Sequence, residues 1–181
     1  MRIGIGYDVH RFDGKRPLKL GGITIPFSRG LAGHSDADVL LHAVADALLG
    51  AIGAPDLGEQ FPSSHARYRS TDSRTFVQSA YAQAKRQGWS VSNLDATVIA
   101  DAPRLIGYKR RMSRAISRLL QVEPARVSVK AKTTEAFCPG TGGIAAHAVV
   151  LLMPTRPPSA FGYGTPSPTR LRRMPGLSRR R

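Results

Sequence analysis

At 181 residues, 41% of them hydrophobic, the chain has material for one domain with its own core. A single cysteine, Cys138, excludes an intramolecular disulfide and a cysteine-built zinc site, and it points to a reducing, cytoplasmic setting. No apolar run approaches the roughly 18 residues that span a membrane, and the first residues lack signal-peptide character. The net charge is +15, and seven of those charges are arginines of residues 156–181, a stretch with five prolines and no acidic residue. That stretch reads as a disordered basic tail. Such a tail can touch nucleic acid only through non-specific phosphate contacts, and a plain solvated extension explains it more simply.

In chain order, residues 2–10 read as a strand, with Ile3 and Ile5 on one side and Gly4, Gly6, Asp8 and His10 on the other. Residues 17–25 predict a hairpin whose Gly21-Gly22 pair supplies the positive φ angles of a two-residue turn. Ser35 and Asp38 have the spacing of a capping box. After them Val39, Leu40, Ala43, Val44, Ala47, Leu48 and Ala51 recur at helical spacing until Gly53 and Pro55 stop the helix. A second helix is expected over 72–87, a strand over 91–100 and a third helix over 107–122. The third helix carries Met112, Ile116, Leu119 and Leu120 on one face and Arg110, Arg111, Arg114 and Arg118 on the other. Strands over 126–132 and 144–153 complete an α/β (α+β) fold. It is expected to be a single domain, residues 1–155, with a four-stranded mixed sheet plus hairpin packed against three helices.

Asp8-Val-His10 near a strand end places a carboxylate and an imidazole on the same face, because side chains alternate with period two. A third ligand has to come from elsewhere, and His42 on the first helix is the candidate. Two His and one Asp with a fourth position open are the ligand set of a catalytic zinc site. Asp38 and Asp46, one turn to either side, are each placed to orient the free nitrogen of His42.

Other polar clusters lie on loops. Gly33-His34-Ser35 precedes the first helix, whose free amides form an anion site unless Asp36 and Asp38 satisfy them. Lys130-Ala-Lys-Thr-Thr-Glu135 closes a strand with cations and hydroxyls suited to oxyanions. The stretches 56–58, 61–65 and 100–106 read as loops.

The order and spacing of Gly6-Tyr-Asp-Val-His10, Gly33-His-Ser-Asp-Ala-Asp-Val-Leu-Leu-His42, Asp46-Ala-Leu-Leu-Gly50, Asp56-Leu-Gly58, Phe61-Pro62, Asp72-Ser73, Ala100 to Pro103 and Lys130 to Glu135 resemble the 2-C-methyl-D-erythritol 2,4-cyclodiphosphate synthase family over about residues 1–153. The resemblance implies a cytoplasmic homotrimer with active sites between neighbours. Its substrate would be 4-diphosphocytidyl-2-C-methyl-D-erythritol 2-phosphate, converted to the 2,4-cyclodiphosphate and CMP in isoprenoid precursor synthesis. It further implies Zn²⁺ on Asp8, His10 and His42, and Mg²⁺ or Mn²⁺ with the substrate diphosphate. His34 and Thr133 are implied to stabilise the transition state.

Substrate contacts are implied for Asp8, His10, His34 and Ser35. Asp56, Leu57 and Gly58 would hold the ribose, and Phe61, Pro62, Ser63, Ser64 and His65 would flank the erythritol. Ala100, Asp101, Ala102, Pro103, Arg104, Leu105 and Ile106 would read the cytosine, and Lys132, Thr133, Thr134 and Glu135 the phosphates. The family's usual Gly-x-Thr-Gly-Arg-Gly-Glu-Gly is here Ala136-Phe-Cys-Pro-Gly-Thr-Gly-Gly143, without the arginine, so one phosphate contact is expected to be missing. Phe61-Pro-Ser-Ser-His65 replaces an acidic stretch, and the arginine-rich tail has no family counterpart. The resemblance also allows transient contact with other enzymes of the pathway.

A competing reading is a basic nucleic-acid-binding protein whose histidines are structural. No strand shows the aromatic interleaving of a base-stacking platform, which weighs against it.

Overall fold

Two glycines decide where the first helix lies. In the computed structural model, which describes residues 1–14, 16–135 and 142–155, strand β1 (Arg2–Arg11) runs directly beneath helix α1 (Val39–Ala51). A Cβ at Gly4 would lie 1.9 Å from the carbonyl oxygen of Ala47, and one at Gly6 would lie 1.9 Å from that of Ala43. Only glycine permits this approach. The facing positions of the helix are alanines for the same reason, so the two backbones meet almost without side chains between them.

The remaining elements are a hairpin of β2 (Leu18–Leu20) and β3 (Ile23–Ile25), the single-turn α2 (Leu57–Gln60), α3 (Arg74–Arg86), β4 (Trp89–Ile99), α4 (Lys109–Leu120), β5 (Val127–Lys132) and β6 (Gly143–Pro154). The main sheet has the order β1-β6-β4-β5. β6 is antiparallel to both β1 and β4, whereas β4 and β5 are parallel, so the sheet is mixed, as expected. β1, β4 and β5 therefore run the same way, and their C-terminal ends share one end of the sheet.

The inner face carries Ala146, Ala148, Val150 and Leu152 from β6 and Leu94, Ala96 and Val98 from β4, all essentially buried under α1, α3 and α4. The outer face of β1 is the apolar one. Ile3, Ile5, Tyr7 and Val9 are between 52% and 68% exposed, and Val149 and Met153 of β6 extend the patch.

The hairpin turns as expected, with φ of +61° at Gly21 and +77° at Gly22. The start of α1 corrects the sequence reading. Ser35 is not its cap. Asp38 is, accepting from the amide of Leu41 at 3.1 Å. The same carboxylate also accepts from the amides of Gly21 at 2.8 Å and Gly22 at 2.7 Å, which ties the hairpin to the helix. Burial pushes its carboxyl pKa up, against the pull of those three amides. The helix count is also corrected, since α2 forms where only a loop was expected. Asp56 makes that turn helical by capping the amide of Glu59 at 2.8 Å.

Among the described residues no helix is long and apolar enough to cross a membrane. The expectations for the basic tail, 156–181, and for most of the altered loop, 136–141, fall outside the described residues.

Replacing Gly6 with Ala forces β1 and α1 apart and is expected to cost about 3 kcal/mol of folding stability, the upper range of overpacking. Urea denaturation compared with wild type measures this. An equal midpoint would show that the close approach is not required.

Candidate functional site

Because β1 lies against α1, the next inward positions of the strand after Gly6, Asp8 and His10, arrive beside His42, one turn into the helix. Asp8 Oδ2 is 2.8 Å from His10 Nε2 and 2.9 Å from His42 Nδ1, and the two ring nitrogens are 3.2 Å apart. Their ligand atoms all lie within 4.8 Å of one another, which is a geometry able to hold a metal ion. His10 turns its other nitrogen, Nδ1, to the carbonyl of Ala32. Each imidazole thus has its far nitrogen tied to the protein and its near nitrogen aimed at the common point, the arrangement a metal-binding histidine needs.

Charge in the group is strongly coupled. Burial alone would raise the Asp8 carboxyl, but hydrogen bonds and positive charge from His10 and His42 overcome it and hold Asp8 well below the ordinary carboxylate range. Burial likewise disfavours charge on His10, and Asp8 overcomes that too, so its pKa is raised. The donor set therefore fits a divalent cation, which would satisfy one carboxylate and two imidazole lone pairs that otherwise need protons to coexist.

Neither carboxylate expected to orient His42 does so. Asp38 is turned to the hairpin amides, and Asp46 accepts from the amide of Leu57 at 2.8 Å. Asp46 has a raised pKa, chiefly from burial and opposed by that amide, with Asp56 and Asp8 adding to the rise. Instead, His42 Nε2 meets Ser73 Oγ at 2.9 Å and Ser35 Oγ at 3.1 Å. Behind Ser73 stands Asp36, whose Oδ1 accepts the hydroxyl at 2.5 Å. Sequence reasoning missed Ser73 and Asp36 in this role because nothing in their spacing shows that α3 starts against α1. Of the first-turn amides of α1, that of Leu41 is taken by Asp38 rather than left for an anion.

A pocket of about 270 Å³ opens over the group and is lined by His10, Gly33, His34, Ser35, His42, Leu57, Gly58, Phe61 and Ser63. Tyr68 and Phe76 complete its wall. Phe61 meets Tyr68 edge-on and Phe76 at a tilt, with ring centroids 5.3 Å and 4.8 Å away. Of the sequence candidates on these segments, Asp56, Pro62, Ser64 and His65 lie off the lining, and His34 is exposed at its edge. Tyr68 was not foreseen.

The other candidates gather elsewhere. Ala100, Asp101, Pro103, Arg104, Leu105 and Ile106 line a second pocket, of about 340 Å³, together with Ala131, Lys132, Thr133 and Glu135. Ala102 joins Pro103 through a cis peptide. Thr134 clamps the two segments, with its amide 2.8 Å from Asp101 Oδ1 and its hydroxyl 2.9 Å from Oδ2. The Thr133 hydroxyl donates to Glu135. This pocket lies past the ends of β4 and β5, across the sheet from β1, at roughly three strand spacings or about 14 Å. The two pockets share no lining residue.

A family model described as the YgbB family matches residues 1–153. A curated 2-C-methyl-D-erythritol 2,4-cyclodiphosphate synthase from Listeria innocua is 50% identical over 154 residues, which span 84% of this chain and 98% of that protein. Among solved structures, a CDP-bound 2C-methyl-D-erythritol-2,4-cyclodiphosphate synthase superposes with a TM-score of 0.78 at 36% identity, covering 84% of this chain and all (100%) of that one. The bifunctional IspDF of Campylobacter jejuni superposes with a TM-score of 0.80 at 37% identity, covering 83% of this chain and 42% of that longer one.

Removing one ligand of three leaves an incomplete set. His42→Ala is expected to weaken divalent-cation binding at least about 100-fold while the protein stays folded. Equilibrium dialysis with metal analysis measures it, and unchanged metal content would show that the ion is held elsewhere.

Proposed function

The chain belongs to the YgbB family and is an enzyme with the cyclodiphosphate synthase activity of its relatives; we propose that it works through a metal held by Asp8, His10 and His42, in sites shared between subunits of a trimer. The reaction converts 4-diphosphocytidyl-2-C-methyl-D-erythritol 2-phosphate to the 2,4-cyclodiphosphate. The 2-phosphate oxygen bonds to the β-phosphorus, and the bond from that phosphorus to the CMP oxygen breaks. The observation that carries the reading is the convergence of one carboxylate and two imidazoles, with both imidazoles lining a pocket rimmed by polar loops.

Zinc on these three residues, with magnesium or manganese on the substrate diphosphate, supplies charge neutralisation for phosphates that must approach one another. The chain's own groups supply position. His34, exposed at the pocket edge, and Ser35 face the reacting phosphates. The aromatic wall of Phe61, Tyr68 and Phe76 shelters the methylerythritol carbon skeleton from water. In the second pocket the 100–106 loop receives the cytosine, consistent with the CDP held by a structural relative. Asp56, at the exposed end of α2, serves the ribose hydroxyls. Thr133 stabilises the developing charge when a phosphate oxygen replaces Glu135 as acceptor of its hydroxyl, with Lys132 beside it.

The separation of the two pockets supports a composite site, in which the nucleotide pocket of one subunit completes the metal pocket of the next. The exposed strip of Ile3, Ile5, Tyr7, Val9, Val149 and Met153 supports the same reading, because contiguous apolar surface of this kind marks an interface. Residues 1–155 carry the activity, since the family match ends at 153 and every implied site residue precedes 136. A soluble location in the cytoplasm agrees with the single cysteine. The bifunctional relative, in which the matching part is less than half the chain, supports transient contact with other enzymes of the pathway.

Purified protein incubated with the cytidyl substrate and Mg²⁺ is expected to release CMP, and Thr133→Ala to lower kcat by about 10²–10³ while bound metal is unchanged. Absence of CMP from the wild type would refute the assignment, and full activity of the variant would remove Thr133 from it. Light scattering is expected to give three times the 19.5 kDa chain mass. A single-chain mass would refute the shared site.

A further inference from the structure

Ser73 occupies the position just before α3, where a serine ordinarily caps the helix through its side chain. Here it makes no such bond, although it is fully buried. Its oxygen faces His42 instead, and the hydrogens around it can be counted. Ser73 carries one hydroxyl hydrogen. Asp36 Oδ1 lies 2.5 Å from Ser73 Oγ and accepts its hydroxyl, as a carboxylate does, and Lys19 Nζ lies 3.3 Å from Oδ2. The Ser73 hydrogen therefore goes to Asp36. The 2.9 Å contact between Ser73 Oγ and His42 Nε2 must then be made with the hydrogen of Nε2. Ser35 Oγ accepts the amide of Ala37 at 3.1 Å and lies 3.1 Å from the same Nε2, and its own hydrogen has Ser73 Oγ, 3.3 Å away, as an acceptor.

By the same count Nδ1, 2.9 Å from Asp8 Oδ2, carries a hydrogen while no ion is bound. When a cation takes the place of that hydrogen, the one on Nε2 stays and the Nδ1 lone pair faces Asp8 and His10. We propose that Ser73 is a positioning residue for His42, which selects the Nε2–H tautomer and fixes the ring rotation so that Nδ1 is ready to bind a cation. Asp36 acts through it. By holding the Ser73 hydrogen it turns the hydroxyl's lone pairs toward the imidazole, which also makes Nδ1 a stronger donor, as carboxylate-backed histidines are. Lys19, Asp36, Ser73 and His42 thus form one relay from the hairpin side of the molecule to the pocket floor. The proposal rests on reading Asp8, His10 and His42 as the metal-holding group.

The test uses Co²⁺ as the probe. Chelator-stripped full-length protein is titrated with Co²⁺ and followed by visible absorption, alongside ¹⁵N spectra of histidine-labelled apoprotein at alkaline pH. The wild type is expected to show a Co²⁺ band that His42→Ala abolishes, and a single Nε2–H tautomer for His42. Ser73→Ala is expected to weaken Co²⁺ binding about 10–100-fold and to mix the tautomers, and Ser73→Thr, which keeps the hydroxyl, to restore both. Should Ser73→Ala fail to fold, Asp36→Asn makes the same test, with an intermediate loss expected. Wild-type Co²⁺ affinity and an unmixed tautomer in the folded variant overturn the role of Ser73 alone. A wild type without a His42-dependent band overturns the metal reading and the relay with it.

Discussion

Everything at the candidate site depends on how closely β1 can lie against α1. Gly4 and Gly6 remove side chains where the strand passes beneath Ala43 and Ala47, so helix carbonyls stand where Cβ atoms would otherwise be. The period of the strand then brings Asp8 and His10 to the same face, and the pitch of the helix puts His42 opposite them. A strand held at the usual distance, on a cushion of valine or leucine, would separate these ligands by several ångströms. The glycines thus act as a spacer of zero thickness, and the geometry of the donor group follows from it.

Once the ligands are that close, Asp8 draws both rings toward itself, and each ring is also anchored from behind, which fixes its rotation. The surrounding loops do this with neutral or compensated groups. Ala32 holds His10 through a carbonyl, and Ser73 with Asp36 holds His42. Asp38 and Asp46, the two nearest carboxylates on the helix, are both occupied by backbone amides. Their negative charge is thereby used to tie the hairpin and α2 to α1, and the pocket wall is built from the same residues that place the ligands. Asp36, Asp38 and Asp46 form a structural scaffold around a donor group whose carboxylate is Asp8.

The outer face of the sheet has the opposite character. Ile3, Ile5, Tyr7 and Val9 are exposed while the glycines of the same strand are buried. The strand's larger side chains face away from its own core, which is why this surface is proposed as an interface. Toward the other edge the face becomes polar, where Lys130 pairs with Asp95 at 2.5 Å. One face therefore grades from apolar at β1 to charged at β5, and the two pockets open at the matching ends. The shared site proposed above would account for both features at once.

The elements themselves were legible in the chain because each depends on local periodicity. The α1 stripe, the Gly21-Gly22 turn and the alternation of β1 need only near neighbours. The Asp8–His10–His42 group was legible in part: strand alternation puts two ligands on one face, and His42, only a candidate by spacing, was implied as the third by the family resemblance. What the chain alone could not show was which long-range partners its polar residues take. Asp38 looked like a histidine partner by helical spacing, but the hairpin amides reach it first, and burial demands that those amides be satisfied. Ser73 lies 31 positions from His42, and only the packing of α3 on α1 brings its hydroxyl to the ring. Periodicity is a property of a few consecutive residues, whereas a hydrogen-bond partner is settled by competition among all groups that folding brings within reach. That competition is decided in three dimensions.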